Sequence, residues 1–273
     1  MSVNKSILNP DLALSFWQAQ VQQLAEKIVD TLKSAPGSGK STIAYPLTDR
    51  INTLLHRPSS TVHPTGVKLA AVVAESGIRA GQGDQVAICV GLDGWHLTRA
   101  ELDAFADPVE AHWRRGAPFT FDLSSYHAFL VQLRIPLLPH PPPGIPFPTF
   151  DHALKDPSPG PEPIRPQHRI VVIEGLYTLL DRDGWRECAE MMDVRVYIEV
   201  EAAVSRDRVI KRNFQAGIVD SLEKCAERVD AVDMVNGEEV RSHLFDPTFI
   251  IHSTDSQGFV PPADPAMAVS AIS

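Results

Sequence analysis

Between residues 11 and 33, Leu12, Leu14, Phe16, Trp17, Val21, Leu24, Ile28, Val29 and Leu32 recur near helical spacing, and Asp11 after Pro10 can cap the start. This pattern predicts an amphipathic helix. A second helical pattern covers residues 40–56 and is expected to kink at Pro46. The Ser-Ala-Pro-Gly-Ser-Gly stretch at 34–39 separates the two as a breaker-rich loop. Four short runs then change the period. Residues 86–92, 170–173, 194–200 and 248–251 are rich in β-branched side chains and mostly continuous in apolar character, as parallel strands covered on both faces are. Helical stretches are expected at 99–105, 124–133, 201–215 and 221–235, so strands and helices alternate. That alternation predicts βαβ units and an open, doubly wound α/β sheet.

Residues 134–166 are crowded with prolines, including Pro141-Pro142-Pro143, and are expected to hold neither a helix nor a central strand. They read as a long surface excursion. Residues 59–83 mix a helical candidate at 67–76 with Gly-rich polar ends, and the chain after Phe259 reads as a frayed tail. The expected organisation is an N-terminal helix (1–34), one large domain (35–260) and a flexible tail (261–273).

Composition narrows the function classes. With 273 residues and 44% apolar content the chain can bury a substantial core. Its 34 acidic against 25 basic residues give a formal charge of −9, which excludes a general attraction to nucleic acid or anionic lipid. Any phosphate site must therefore be local. No apolar run approaches the roughly 20 residues needed to span a bilayer, and the N-terminus lacks a signal-peptide profile, so a soluble, cytoplasmic protein is expected. Cys89, Cys188 and Cys225 have neither disulfide-framework nor metal-binding spacing and read as free thiols.

Pro36-Gly37-Ser38-Gly39-Lys40-Ser41-Thr42 matches the second half of the phosphate-binding P-loop. Glycines let backbone N–H groups wrap an anion, the Lys reaches the β/γ oxygens, the Ser hydroxyl binds Mg²⁺, and the following helix directs its positive end to the same place. Two features depart from the full pattern. Ser34 stands where the first Gly belongs, and residues 28–33 continue a helical pattern where a buried strand is expected. Either a strand-length segment of about a dozen residues is missing, or the sheet is altered.

Further carboxylates fall at strand ends, where open α/β sheets bind ligands. Asp93, in Asp93-Gly94-Trp95-His96, follows the first run and can take a proton from an attacking hydroxyl. Glu174, in Glu174-Gly175, ends the second and can hold Mg²⁺ or its waters. In isolation Asp-Gly is a turn and Glu174 a helix cap. Arg206, Arg208, Lys211 and Arg212 recur on one helix, either as a solvated basic face or as a lid over a triphosphate.

Together these strings resemble the uridine kinase/phosphoribulokinase/pantothenate kinase family of P-loop small-molecule kinases. The resemblance runs through PGSGKST (36–42), LDGWHLTRAELD (92–103), RRGAPFTFD (114–122), PTFDHALKDP (148–157), IVVIEGLYTLLD (170–181) and RDRVIKR (206–212). Within that family the chain is most similar to a branch of fructose kinase-like and yeast P-loop kinase-like proteins. The resemblance implies a three-layer sandwich with a mostly parallel sheet, here lacking the first, central strand before the P-loop. It implies ATP and Mg²⁺ as cofactors, with Pro36, Gly37, Ser38, Gly39, Lys40, Ser41 and Thr42 around the phosphates and Ser41 and Glu174 at the metal. It makes Asp93 the general base and places Lys40, Arg208 and Arg212 in catalysis. It puts His96, Asp122, Phe150, Asp151 and Lys155 beside the acceptor and Asn236 on the adenine side. Arg114 and Arg115 either bind an acidic acceptor or form surface ion pairs.

The expected activity is ATP-dependent phosphorylation of a hydroxyl on a small metabolite, such as a sugar, nucleoside or pantothenate-like alcohol. The alternative is a catalytically impaired nucleotide-binding or scaffold protein derived from such a kinase. A nucleotide-hydrolysing switch lacks its water-positioning Gln, and the G-x-S-x-G elbow of a serine hydrolase is absent.

Overall fold

Strands β1 (Ala87–Gly91) and β4 (Ile170–Glu174) form where the continuous apolar runs predict them, and they pair in parallel with Ala87 opposite Ile170 and Gly91 opposite Glu174. The computed structural model describes residues 40–56, 85–136, 143–215 and 221–253, and of 40–42 and 53–56 the backbone alone. The N-terminal helix, residues 36–39 of the P-loop, the 59–83 segment, the tail and the expected gap before the P-loop lie outside the described residues.

Strand alternation sends neighbouring side chains to opposite faces. Ile88 and Val90 of β1 join Val171 and Ile173 of β4 on one face, against a core built from Trp95, Phe121, Tyr126, Phe129, Tyr177 and Trp185. Ala87 and Cys89 face the other way, toward helix α1 (Lys40–His56), which runs through Pro46. Helix α4 (Leu123–Leu133) lies on the first side, with Tyr126, Phe129 and Leu130 buried. Helix α5 (Trp185–Glu190) also contributes to that core through Trp185 and Cys188. The sheet is therefore covered on both faces, which explains why its strands are apolar without interruption.

The hold of α1 on the sheet depends on Asn52. This buried side chain donates to the Ala87 carbonyl (3.0 Å) and accepts from the Val86 (3.0 Å) and Ala87 (2.8 Å) amides. Removing it strands three backbone groups at the start of β1. Asn52→Ala should lower the unfolding free energy by about 2–4 kcal/mol, measured by urea denaturation with the buried Trp95 and Trp185 as fluorescence probes. A loss below about 0.5 kcal/mol would show that water replaces the amide.

A second parallel pair joins β5 (Val196–Glu199) to β6 (Phe249–His252), with Val196 opposite Phe249. Among the described residues each parallel pair stands as its own two-stranded sheet. The chain from β4 to β5 is tied to the chain entering β6 by Asp181 N to His243 O (2.7 Å) and Phe245 N to Leu179 O (2.9 Å).

Two expectations need correction. The proline-rich excursion is not wholly at the surface: Ile145, Phe147 and Ile164 are buried in the main core. Between them strands β2 (Pro148–Asp151) and β3 (Asp156–Pro159) form an antiparallel hairpin. A two-stranded ladder leaves alternate N–H groups unused, so prolines are accommodated where a central strand would reject them. The helix expected at 221–235 runs on to Ser242 as α7 (Leu222–Arg228), a π-helical turn (Val229–Asp233) and α8 (Met234–Ser242). The Asn236-Gly237 pair does not break it, because Asn236 and Val240 are buried on its inner face. Helix α6 (Ala202–Gln215) precedes this assembly and packs Ile210 against Cys225 and Val229. Helices α2 (Arg99–Asp103) and α3 (Pro108–Trp113) are short and closely capped, by Thr98 in a full capping box and by Asp107.

All three cysteines are free, and burial, with the Glu174 charge second, pushes the Cys89 thiol up to about 12. Burial likewise raises Cys188 to about 12. Thiolate chemistry at neutral pH is thereby closed to both.

Candidate active site

The carboxyl ends of β1 and β4 meet at Gly91 and Glu174, and the chain leaves β1 through a tight 3₁₀ turn (Leu92–Trp95). Both glycines of the Asp-Gly and Glu-Gly pairs are required by close approach. A Cβ at Gly94 would collide with the Pro148 carbonyl of the hairpin, and one at Gly175 with the Leu92 side chain. The two motifs thus exist because one strand end is packed against the hairpin and the other against the turn. Asp93, between them, keeps 62% of its side chain exposed.

Helix α1 points at the same end. Asn52 meets Ala87 and Thr48 lies against Cys89, so α1 runs antiparallel to β1. Four helical residues rise about 6 Å and two strand residues about 6.6 Å, so the two registers advance together. The same advance brings residue 44 level with Gly91, where the strand ends. The N-terminal, positive end of the helix therefore lies toward the carboxyl end of β1.

His96 sits between aromatic rings, with centroids 4.1 Å from Phe121 and 5.2 Å from Phe150. Its Nδ1 lies 2.8 Å from the Asp93 carbonyl oxygen and 3.9 Å from the Asp93 carboxylate. Burial holds the ring below the usual histidine range, outweighing the Asp93 charge, and the nearby Arg115 acts in the same direction as burial. A neutral ring beside a backbone carbonyl, which can only accept, must carry its proton on Nδ1.

The hairpin is fastened by a residue that the sequence did not single out. Asp156 accepts from Arg99 N (3.0 Å), Arg99 Nε (3.2 Å) and Arg115 Nη2 (2.8 Å). Partial burial opposes its ionisation, but the Arg115 and Arg99 hydrogen bonds together hold its carboxyl below the usual range. Arg115 also donates to the Leu97 carbonyl (2.8 Å) and the Lys155 carbonyl (2.5 Å), and its guanidinium lies 5.5 Å from the centre of the Phe150 ring. The adjoining KDP and RRG strings carried a signal for this clamp, but only folding joins residues 41 and 57 positions apart.

Of the other expected acceptor residues, Phe150 stands beside His96, and Lys155 lies exposed at the hairpin tip with φ of 56°. Asp151 shapes that tip by accepting from Ala153 N (2.8 Å) and Leu154 N (2.9 Å). Asp122 caps α4 through Ser125 N (3.0 Å) and Ser125 Oγ (2.5 Å). Asn236 is buried beside Gly116, and its Oδ1 has no hydrogen-bond partner among the described residues.

The basic helix divides into two kinds of arginine. Arg206 is bound bidentately to Asp230 of the π-helical turn (2.5 and 2.7 Å). Arg208 donates to Ser253 Oγ (3.2 Å), just past β6, and Arg212 to its neighbour Asn213 (3.1 Å).

No family model matches the chain. Individual relatives do. It is 38% identical over 149 residues to the ATP-dependent kinase-like protein notR' of Aspergillus versicolor, covering 55% of this chain and 86% of that protein. It is 34% identical over 195 residues to the ATP-dependent kinase YFH7 of Saccharomyces cerevisiae, a match that spans 61% of this chain but only 55% of the yeast protein. The crystal structure of YFH7, described as a P-loop containing kinase with a circular permutation, superposes with a TM-score of 0.66 at 26% identity, over 86% of this chain and 99% of that one. A fructose transport system kinase structure from Silicibacter superposes with a TM-score of 0.57 at 27% identity, over 79% and 85% of the two chains. The fold is that of the P-loop kinases.

Proposed function

The chain belongs to the uridine kinase/phosphoribulokinase/pantothenate kinase family of P-loop small-molecule kinases, and from that premise we propose that it transfers the γ-phosphoryl group of ATP to a hydroxyl of a small metabolite. The observation that supports this reading is that Asp93 and Glu174 follow or end neighbouring parallel strands at the same edge, the edge toward which α1 runs from Asn52 through Thr48 to its N-terminus. Phosphoryl transfer asks mainly for positioning and charge neutralisation. Asp93, exposed and at the strand end, is the group that takes the acceptor proton. The P-loop residues Pro36, Gly37, Ser38, Gly39 and Thr42 would wrap the phosphates, with Lys40 on the β/γ oxygens.

The rim also fits Mg²⁺ by donor chemistry. Glu174 offers hard carboxylate oxygens there, with Oε1 beside Gly91. Among the described residues no three His, Cys, Asp or Glu side chains gather as a protein cage. A Mg²⁺ ion held by Glu174 and Ser41 together with substrate phosphates is the arrangement that suits such a site. When bound it would neutralise phosphate charge.

Arg208 and Arg212 are the lid cations in this reading, while Arg206 belongs to a structural pair with Asp230. Replacing Arg208 and Arg212 together by Gln should leave the melting temperature within about 3 °C and lower turnover roughly 10- to 100-fold. Differential scanning fluorimetry and steady-state kinetics on one preparation check this. A large drop in melting temperature with unchanged kinetics would make the pair structural.

The direct experiment follows ³²P from γ-labelled ATP in mixtures of uncharged sugars, nucleosides and alcohols. A new phosphorylated metabolite is expected; label released only as inorganic phosphate would refute the kinase reading. A second reading, a nucleotide-binding scaffold without catalysis, draws on the division of the parallel strands among the described residues into two separate pairs and on Ser34.

A further inference from the structure

Between the ends of α4 and α5 and the amino end of β4 lies a cavity of about 430 Å³. Its walls are apolar: Leu133 at the end of α4, Ile145 and Ile164, Val171 of β4, and Met191 and Met192 just past α5. Ile145 and Ile164 are tied to each other by reciprocal backbone hydrogen bonds of 2.8 Å, so this wall is rigid. The two unbranched methionines opposite can fit themselves to an occupant. β4 is only half-buried along its length, which leaves apolar surface here that a ligand would remove from water.

The rim has the opposite character. Arg134, Arg165 and Arg169 border the cavity, against the one carboxylate of Asp193. That carboxylate is already engaged: both of its oxygens accept from Arg134 Nη1 (2.9 and 2.8 Å), a pair that ties the end of α4 to the chain entering β5. Arg165 and Arg169 sit on a turn held from within. His168 N donates to the Arg165 carbonyl (2.9 Å), Arg165 N to His168 Nδ1 (3.1 Å), and Arg169 N to the Val86 carbonyl (2.7 Å). The Arg165 guanidinium meets Glu162 at 3.4 Å, but the two side chains are 49% and 63% exposed, and an ion pair in that setting contributes little and exchanges readily. Arg169 is exposed, and its guanidinium makes no ion pair among the described residues.

An apolar cavity of about 150 Å³ takes up a molecule the size of benzene, so one of about 430 Å³ suits roughly ten to seventeen non-hydrogen atoms. Two guanidinium groups at its mouth add the planar fork that a carboxylate matches. We propose that this cavity binds a small amphipathic anion, an unbranched alkyl chain of about eight to twelve carbons ending in a carboxylate. The chain lies among Ile145, Ile164, Met191 and Met192, and the head rests on Arg165 and Arg169. The cavity opens at the start of β4, roughly 13 Å from the strand end at Glu174, so its ligand is independent of the reaction performed at that end. A polypeptide strand laid along β4 would claim the same space, and ligand and strand therefore exclude each other.

The test follows the full chain, labelled with ¹³C at its methionine methyl groups, during titration with octanoate. Met191 and Met192 line the cavity, whereas Met234 packs with Ile210, Cys225 and Val229 in a different cluster. The Met191 and Met192 signals should move saturably with a Kd on the order of 100 μM, and Met234 should stay still. Octanol and octyltrimethylammonium then present two other heads on the same tail. The carboxylate should bind about tenfold more tightly than the alcohol, and the ammonium more weakly than either. Arg165→Gln combined with Arg169→Gln changes two exposed side chains, and should lower octanoate affinity about tenfold while leaving octanol within about twofold.

Unmoved Met191 and Met192 signals at millimolar octanoate would overturn the site, and equal shifts of Met234 would reduce it to detergent-like association. Equal binding of acid and alcohol, tighter binding of the ammonium, or undiminished octanoate binding by the double arginine variant would overturn the assigned ligand class.

Discussion

Inserting an apolar, β-branched strand and a glycine ahead of Ala35 is expected to raise the affinity of this chain for Mg·ATP by roughly 100-fold or more. A phosphate loop holds its amides toward an anion only when both flanks are fixed. One flank, α1, is fixed by Asn52 and by packing on β1 and β4. The other should be a strand in the sheet. Among the described residues β4 pairs only with β1, and β5 only with β6, although Ile173 of β4 and Tyr197 of β5 pack against the same core. A cavity of about 430 Å³ is lined by Ile170, Val171 and Ile173 and by Met191, Met192 and Val194, which lead into β5. All five residues of β4 are only half-buried, whereas Ala87 and Val90 of β1 are fully buried. A parallel strand added there would complete the ladder, cover β4 and anchor the loop. Isothermal titration calorimetry of the two forms decides it; equal, tight binding by both would refute the expectation.

The second large effect is chemical. In the strand-restored form, Asp93→Asn should reduce phosphoryl transfer by about 10²–10⁴-fold and change ATP affinity by less than about threefold. The substitution keeps size and hydrogen-bonding capacity but removes the basic oxygen. Because Asp93 is largely exposed on a 3₁₀ turn and makes no core contact, its loss should not disturb the fold. Retention of near-normal turnover would assign the base elsewhere. A fall in ATP affinity that matches the fall in rate would make Asp93 part of the nucleotide site.

The sheet strands and the main helices were legible because their signals are local. α1 begins and ends where the pattern predicts, at Lys40 and His56, and runs on past Pro46. Pro46 is exposed, and packing of Ala44, Thr48, Ile51 and Asn52 holds the helix on either side of it. The extension of α7 through a π-helical turn into α8 was missed because Gly237 weakens the local helical signal, while the burial of Asn236 and Val240 on the inner face exists only in the folded chain. The proline-rich stretch was misread for the same reason: Ile145, Phe147 and Ile164 are isolated apolar residues in sequence, and only the core shows that they are buried together.

By itself the sequence determined the alternation of apolar strands with amphipathic helices, and with it the α/β class, together with the two carboxylates at strand ends. Those features depend on hydrophobic period and on residue types at short spacing, which need no partner to be recognised. The tertiary structure alone decided which polar groups are engaged. Asn52 is bound to Ala87 across 35 positions, Asp156 to Arg115 across 41 and Arg206 to Asp230 across 24. A charged residue reads the same in sequence whether it faces a ligand or an internal partner. Arg99, Arg115 and Arg206 were taken up by internal partners, and the Nδ1 of His96 by the Asp93 carbonyl. The physical reason is that hydrogen-bond satisfaction is a property of the folded neighbourhood, while periodicity is a property of the chain.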